Sequence, residues 1–564
     1  MSLFSSIQLA NNSLFAAQTG LQVTGNNIAN AGTPGYIRQE VVLTPASTAL
    51  IGALPIGLGV QVTAIIQQAD RFLNERLRNA ASDLAQSEAQ EDAYLELEGI
   101  IGELSEIDLS SSLSRFFGSI HNVLNQPEDM SLRNLVAVQG GVLTQDIRRL
   151  AEQVNESQTN FNERVVDTAS SINSLLEQIA EVNVQIVVTE GGGKSPSDAV
   201  GLRDQREILL GKLSEIVSVR SVEQQDGSVI VFAGGDYLVA AGEYRPVTVY
   251  YDPAHGQQRA YLHIQDSDSP LAVSSGKLAG YLAARDDILA GYLAQLDDLS
   301  RTLNYEFNKL YSSGQGLYGY TDLTSEFAVT DTTAALDQAG LVYTPVNGTF
   351  RVLVRNTNGL TTTTEILVDL NGLDDDLSLS DLATMLDDID GIQAEIGTDN
   401  RLHLAGDSSE IEFGFAQDTS GLLAALGLNT FFTGTSSSNI GVSEIVGEDP
   451  GMFATSQNGF GQDADNAVVL ADFANRPLDA ANSQTFTDVY EQFVSEVAEA
   501  AAVNHSLTEG FRVFRNTLES QQLGISGVSI DDEVVKMITY QRVYQASARF
   551  IAAIGELFDV LVNL

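Results

Sequence analysis

The chain has 564 residues, with 29 Lys and Arg against 75 Asp and Glu, a formal net charge of −46, and neither cysteine nor tryptophan. So acidic a chain offers no basic face for nucleic acid or an anionic lipid surface. Without cysteine it has no disulfide, thiol nucleophile or cysteine-ligated metal. No apolar run approaches the ~20 residues that span a bilayer, and no Lys or Arg precedes Arg38, so neither membrane insertion nor a cleavable secretory signal is expected.

Residues 3–21 carry a helical period. Leu3, Ile7, Ala10, Leu14, Ala17 and Leu21 recur in steps of four and three, one stripe of a helix about 28 Å long. Ser5, Gln8, Asn12 and Thr19 take the other side. Residues 26–36, NNIANAGTPGY, follow. Here Thr33-Pro34-Gly35-Tyr36 reads as a turn, with Pro presetting φ and Gly supplying a positive one. Asn27 and Asn30 stand just ahead of it.

Residues 72–190 read as mainly helical, with a break at Pro127. From Val142 to Glu190 there is no Gly or Pro. Ile147, Leu150, Val154, Phe161, Val165, Ile172, Leu175, Ile179, Val182 and Ile186 trace one face over about 60 Å. Gly191-Gly192-Gly193 ends that run, and a shorter helix returns over about 198–217. Period-2 patterns then mark strands over 219–265, with a hairpin at Asp226-Gly227. Helix is expected again over about 276–312. Residues 320–445 hold short β patterns such as FRVLVRN and TTEILVDL, with one helix over Ser380–Ile389. Residues 321–500 carry 30 acidic and 4 basic residues, more than half of the net charge, whereas residues 1–69 carry one of each.

Helix returns over 484–523, and a last one begins at Ser529, where Asp532 completes a capping-box-like start. Val534, Met537, Gln541, Tyr544, Ala548, Ile551, Gly555, Phe558 and Val562 form its stripe, with Val543, Phe550, Ile554, Leu557 and Leu561 beside it. This apolar face is wider than a two-stranded seam needs. The expected fold class is mainly α with inserted β-rich parts, an α+β multidomain chain. Residues 1–33 with 525–564 make a terminal helical assembly domain, its two helices paired as a coiled-coil-like rod. Residues 34–319 with 446–524 make a long-helix bundle domain with a β-rich part near 219–265. Residues 320–445 make an acidic, β-rich outer domain. The candidate assembly residues are Leu3, Ile7, Ala10, Leu14, Ala17, Leu21, Val534, Met537, Tyr544, Ala548, Ile551, Phe558 and Val562. The candidate signature turn comprises Asn27, Asn30, Thr33, Pro34, Gly35 and Tyr36.

Both ends resemble the axial proteins of the bacterial flagellum. The resemblance rests on NNIANAGTPGYIRQ at 26–39 and on SGVSIDDEVVKMITYQRVYQASARFIAAIGELFDVLVNL at 526–564. Within that group, YQASAR at 544–549, the long helical region and VGLRDQREILLGKLSEIVSV at 200–219 look most like the hook-associated proteins of the hook–filament junction. The resemblance implies a structural protein, not an enzyme, exported without a cleavable signal through the flagellar type III apparatus. It therefore displaces the soluble cytoplasmic reading that composition alone gives, in favour of the extracellular flagellum. The partners it implies are further copies of the chain in a ring or tube, the hook protein, the second junction protein (hook-associated protein 3) and a flagellar export chaperone.

No catalytic, cofactor or metal constellation accompanies this. Gly191-Gly192-Gly193-Lys194-Ser195 looks like the end of a phosphate loop, but Val188 stands where its first glycine belongs and a helix precedes it. Gly314-Gln315-Gly316-Leu317-Tyr318-Gly319 lacks the strand–turn–helix context of a dinucleotide site. No two of His121, His255, His263, His403 and His505 have zinc-ligand spacing. Gly524-Ile525-Ser526-Gly527 is not a nucleophile elbow, and Asp374-Asp375-Asp376 reads as a solvated turn. Two alternatives stay open: a hook or distal rod protein, which shares the terminal signatures, and an enzyme housed in the acidic middle.

Overall fold

The computed structural model describes residues 3–562 apart from 52–53, 103–107, 253–257, 374–375 and 479–482; the Asp374–Asp376 run falls largely outside it. The chain opens with α1 (Leu3–Ala29), then β1 (Gln39–Pro45), β2 (Thr48–Ile51), β3 (Leu54–Gly57) and β4 (Val60–Gln67). Helices α2 (Arg71–Ile101), α3 (Leu109–Val123), α4 (Met130–Thr189) and α5 (Val200–Ile216) follow. Strands β5 (Arg220–Glu223), β6 (Val229–Ala233), β7 (Asp236–Ala240), β8 (Glu243–Tyr244), β9 (Val247–Asp252), β10 (Arg259–Ile264) and β11 (Ser269–Pro270) lead to α6 (Lys277–Ala283) and α7 (Ala290–Tyr311). Then come β12 (Asp322–Thr324), β13 (Gly348–Arg355), β14 (Thr361–Val368), α8 (Leu379–Asp387), β15 (Ile392–Ile396), β16 (Leu402–Gly406) and β17 (Glu412–Ala416). The chain closes with α9 (Leu422–Leu426), β18 (Phe432–Thr433), β19 (Gly441–Val442), α10 (Glu444–Glu448), α11 (Asp465–Ala471), α12 (Phe486–Ser526) and α13 (Ile530–Val562). The fold is thus mainly helical with small antiparallel sheets, an α+β multidomain arrangement. It packs as two units.

The first unit holds Met1–Asp92, Thr159–Arg285 and Ala502–Leu564. Its core lies between the apolar face of α4 and two sheets. Val165, Ile172, Ile179 and Ile186 meet Leu209 and Leu213 of α5 and the inward strand residues Val229, Val231, Ala260, Leu262 and Ile264. The strands alternate as a half-buried sheet must, one face on the helix and one outward. Asp226-Gly227 makes the turn between β5 and β6, whose residues pair from Glu223–Val229 to Arg220–Phe232. Glu190 closes the glycine connector after α4: its carboxylate accepts from Arg203 at 2.7 and 2.9 Å and from the Ala199 N–H at 2.8 Å. Burial is opposed by these bonds and by the arginine charges, and the Glu190 carboxyl sits below its ordinary range.

The second unit holds Ala93–Gln158 and Asp286–Ala501. Sheets β12–β16–β15 and β14–β13–β17 enclose a core that includes Val352, Val354, Ile366, Leu382, Leu386, Phe413 and Phe415. Helix α8 starts with a full capping box between Ser378 and Asp381. An aromatic cluster ties the chain on either side of this sheet region to the helices. Phe116 of α3 and Phe307 of α7 pack on Phe431 and Phe432 with ring centroids 5.1–5.6 Å apart. Arg133 of α4 is fully buried. It donates to the carbonyls of Pro127 and Phe453 at 2.6 and 2.5 Å and to Thr455 Oγ1 at 2.7 Å.

Three elements differ from the sequence reading; one is α9, a second helix within 320–445 where a single one was expected. Residues 39–67 form a β-hairpin, β1 pairing with β4, where no strands were expected. The alternation in QEVVLTP and VQVTAIIQ is its signal. The helix expected over 276–312 is interrupted by a π-helical turn at Ala284–Leu289. Its Arg285 is buried and donates to Asn162 Oδ1 at 2.6 Å and to the Ala260 carbonyl at 2.8 Å, bonds that reward the extra residue in the turn.

Candidate assembly site on the paired terminal helices

Helices α1 and α13 pack along each other in the first unit. Three contacts fix an antiparallel register. Phe4 meets Phe558 edge to face, ring centroids 5.8 Å apart. Gly20 lies under the Tyr540 ring, so closely that a Cβ there would sit 2.6 Å from it. Asn27 Nδ2 donates to Glu533 Oε2 at 3.0 Å. Each step up one helix is a step down the other.

The α1 stripe is the one read from sequence. Ala10 and Ala17 are buried, and Ile7, Leu14 and Leu21 are half-buried. The side chains of Leu3 and Val562 lie outside the described residues. On α13 the seam is rotated from the expected stripe. Met537, Ile551 and Phe558 are half-buried as members of it, but Val534, Tyr544 and Ala548 are exposed. Glu533, Ser547 and Ile554 are buried instead, with Tyr540 half-buried. Periodicity could not choose between these stripes because α13 is apolar well beyond the width of one seam. Val535 (65% exposed), Leu557 (56%), Val560, Ile538, Val543 and Phe550 remain open to solvent, as do Phe4 and Phe15 on α1.

The signature turn caps this pair. Tyr36 N–H donates to the Thr33 carbonyl at 3.2 Å, and Gly35 has φ +76°, so the turn read from Thr33-Pro34-Gly35 forms. Asn30 Nδ2 bonds the Asn26 carbonyl at 3.0 Å, and Thr33 N–H bonds the Asn30 carbonyl at 2.9 Å. Thr33 and Pro34 are exposed. Asn27 is fully buried and carries the joint. Its Oδ1 accepts from Gln39 N–H at 3.0 Å and from the Tyr36 hydroxyl at 2.8 Å; its Nδ2 donates to the Gln39 carbonyl at 3.0 Å as well as to Glu533. Glu533 also pairs with Lys536 at 2.7 Å. Burial and the charges of Asp204 and Glu533 push the Tyr36 phenol up to about 12. Arg38 N–H bonds the Ser526 carbonyl at 2.9 Å, fastening the turn to the α12–α13 joint. The turn, α5 and that joint border a cavity of about 830 Å³.

Glu533, Gly20 and Tyr540 were missed by the sequence reading. A glycine inside a helix pattern was the available signal at Gly20; an acidic residue in a helix's first turn, as Glu533 is, carries no signal beyond a favourable charge there. The glycine-rich decoys are connectors: Gly191–Gly193 turn after α4 with positive φ, and Gln315 N–H pairs with the Ser456 carbonyl. Among the described residues no group of three His, Asp or Glu could hold a metal ion, and no helix is long and apolar enough to cross a membrane.

Residues 94–325 match the family model of the flagellar hook-associated protein FlgK helical domain, and residues 519–564 that of the flagellar basal body rod FlgEFG protein C-terminal region. The chain is 25% identical over 575 residues to flagellar hook-associated protein 1 of Salmonella typhimurium, covering 99% of both. It is 24% identical to the protein of that name in Escherichia coli K12, again over 99% of both. To that of Bacillus subtilis it is 25% identical over 100% of this chain and 98% of that one. A solved structure of the flagellar hook junction protein FlgK from Burkholderia pseudomallei aligns with a TM-score of 0.49 and 14% identity, covering 80% of this chain and 100% of the other.

Proposed function

We propose, from the premise that this chain belongs to the flagellar hook-associated protein 1 family, that it joins the hook to the filament by packing copies of its terminal helix pair. Family membership makes it a structural component of the flagellum that self-assembles and associates with hook components. The observation that carries the finer reading is the uncovered apolar face of α13, Val535, Ile538, Phe550 and Leu557, on a pair whose seam is already filled. A contiguous exposed apolar face of this kind marks a surface that other protein covers. The two helices then form the inner layer of a tube. Export through the flagellar type III apparatus, an export chaperone, the hook protein and hook-associated protein 3 as neighbours belong to the same proposal. A hook or rod protein shares the C-terminal match, but the long helical match over 94–325 favours the junction. Nothing in the described site supports the enzyme alternative.

The double change Val535→Asp, Leu557→Asp tests this. Both side chains are exposed, so the monomer should melt as the unmodified protein does. In assembly each aspartate must be desolvated without a partner, at several kcal/mol. Purified variant added to cells lacking the native protein should leave hooks bare. Filaments growing as well as with unmodified protein would mean that this face is not the assembly surface.

A further inference from the structure

Asp204 on α5 is 8% exposed and has no ion pair among the described residues. Its carboxylate accepts from Gln67 Nε2 at 2.5 Å and from the Ile37 backbone N–H, so one side chain links α5, the end of β4 and the residue after Tyr36. Gln67 is held from behind by Asp198 and the Val200 carbonyl, at 3.1 and 3.0 Å.

The cations in this neighbourhood are committed elsewhere. On α5, Arg203 pairs with Glu190 and Glu223, and Arg206 bonds Asn183 and the Gly227 carbonyl. Arg78 on α2 pairs with Glu207, Arg38 bonds Gln68, and Lys536 on α13 pairs with Glu533. Arg515 of α12, on the cavity wall, pairs with Glu519 at 3.7 Å; the other titratable groups described around the turn are the Tyr36 phenol, bonded to Asn27, and the carboxylates of Asp198, Glu207, Glu215, Asp532 and Glu533, which add negative charge. An ionised Asp204 is therefore a nearly buried charge with two hydrogen bonds and no counter-ion. Residues 30–38 line the large cavity together with Glu207, Ile208 and Gly211 of α5, so the turn has room to move and water a place to enter.

We propose that Asp204 is a proton-operated latch on the signature turn. With the proton on, the carboxyl keeps Ile37 and Gln67 closed on α5; with the proton off, the uncompensated charge draws in water and loosens residues 30–38. The device does not depend on what the chain assembles with. Burial pushes the carboxyl from 3.8 up to about 7, against the two hydrogen bonds, which favour the charge. The closed turn thus binds the proton more tightly than the open one. Closure is fully favoured at acid pH, weakens as pH rises from about 4 to about 7, and levels off above.

Amide hydrogen exchange of residues 30–38 in the full-length monomer reads this directly. After correction for the intrinsic pH dependence of exchange, opening should increase roughly tenfold or more between pH 5 and pH 8. In Asp204→Asn the increase should vanish. An unmodified protein without the increase, or an Asn variant that keeps it, overturns the latch. Should the variant fold poorly, carboxyl-carbon NMR of unmodified protein labelled at aspartate Cγ decides: one resonance titrating near pH 7 supports the latch, and none titrating above pH 5 ends it.

Discussion

At Asn27 one carboxamide serves the backbone N–H and C=O of Gln39, the Glu533 carboxylate and the Tyr36 hydroxyl. The four partners come from three segments, β1, the turn and α13, the last 506 residues away in sequence. Asn27→Ala strands them together, and each buried unpaired group costs about 1–3 kcal/mol. Relief by water at the half-exposed Tyr36 holds the expected loss to about 2–4 kcal/mol, read as a lower denaturation midpoint for the terminal pair. A change under 0.5 kcal/mol would mean the joint is held elsewhere. The turn beside it was legible because proline and glycine impose backbone angles locally, whatever the rest of the chain does. The role of Asn27 was not, because a polar residue at a helix end reads the same whether it meets water or a distant carboxylate. Glu533 hid for the same reason.

Along α4, three asparagines do for the sheets what Asn27 does for the turn. Asn162, Asn173 and Asn183 are spaced eleven and ten residues apart, close to three whole turns, so they share a face. Asn173 bonds both the N–H and the C=O of Val247 at 2.8 Å, Asn183 both those of Val229, and Asn162 the Ala260 N–H and the Gln258 carbonyl. The ladder sets where each strand sits on the helix. Asn173→Leu should cost about 2–3 kcal/mol by leaving the Val247 amide groups unpaired, and should raise hydrogen exchange in β9 and β10 more than in β5 and β6. Uniform exchange across both sheets would count against a strand-by-strand role. The apolar period of α4 was plain in the sequence from Val142 onward. Its first turns fall in the same helical reading although Gly140-Gly141 run against propensity; Phe431 packs so closely on Gly140 that a Cβ would lie 2.7 Å away, and that contact decides the residue. The hairpin at 39–67 was overlooked because, with Glu40 its only charge, the alternation in QEVVLTP and VQVTAIIQ carries little polar contrast.

Over the whole chain, the acidic β-rich region has its own core, yet its last residues belong to the helices. Phe431 and Phe432 sit in the aromatic cluster with Phe116 and Phe307, and Asn429 bonds the carbonyls of Ser312 and Gly314 at 3.0 and 2.9 Å. Replacing residues 321–428 by a short Gly/Ser connector should therefore leave a folded remainder, whereas replacing 320–445 should not, a contrast that melting of the two purified deletions would test. Equal melting temperatures would place the boundary elsewhere. The pairing of α1 with α13 has a further consequence, in the order of synthesis. Helix α1 has as its partner a helix whose Glu533 lies 506 residues beyond its own Asn27, so its apolar stripe stays bare until α13 exists, and closing so long a loop is slow. A chain cut short anywhere upstream lacks the seam altogether, however well its middle has folded. The seam thus works as a late checkpoint: a copy that stops before α13 keeps a folded middle but cannot form the α1–α13 pair.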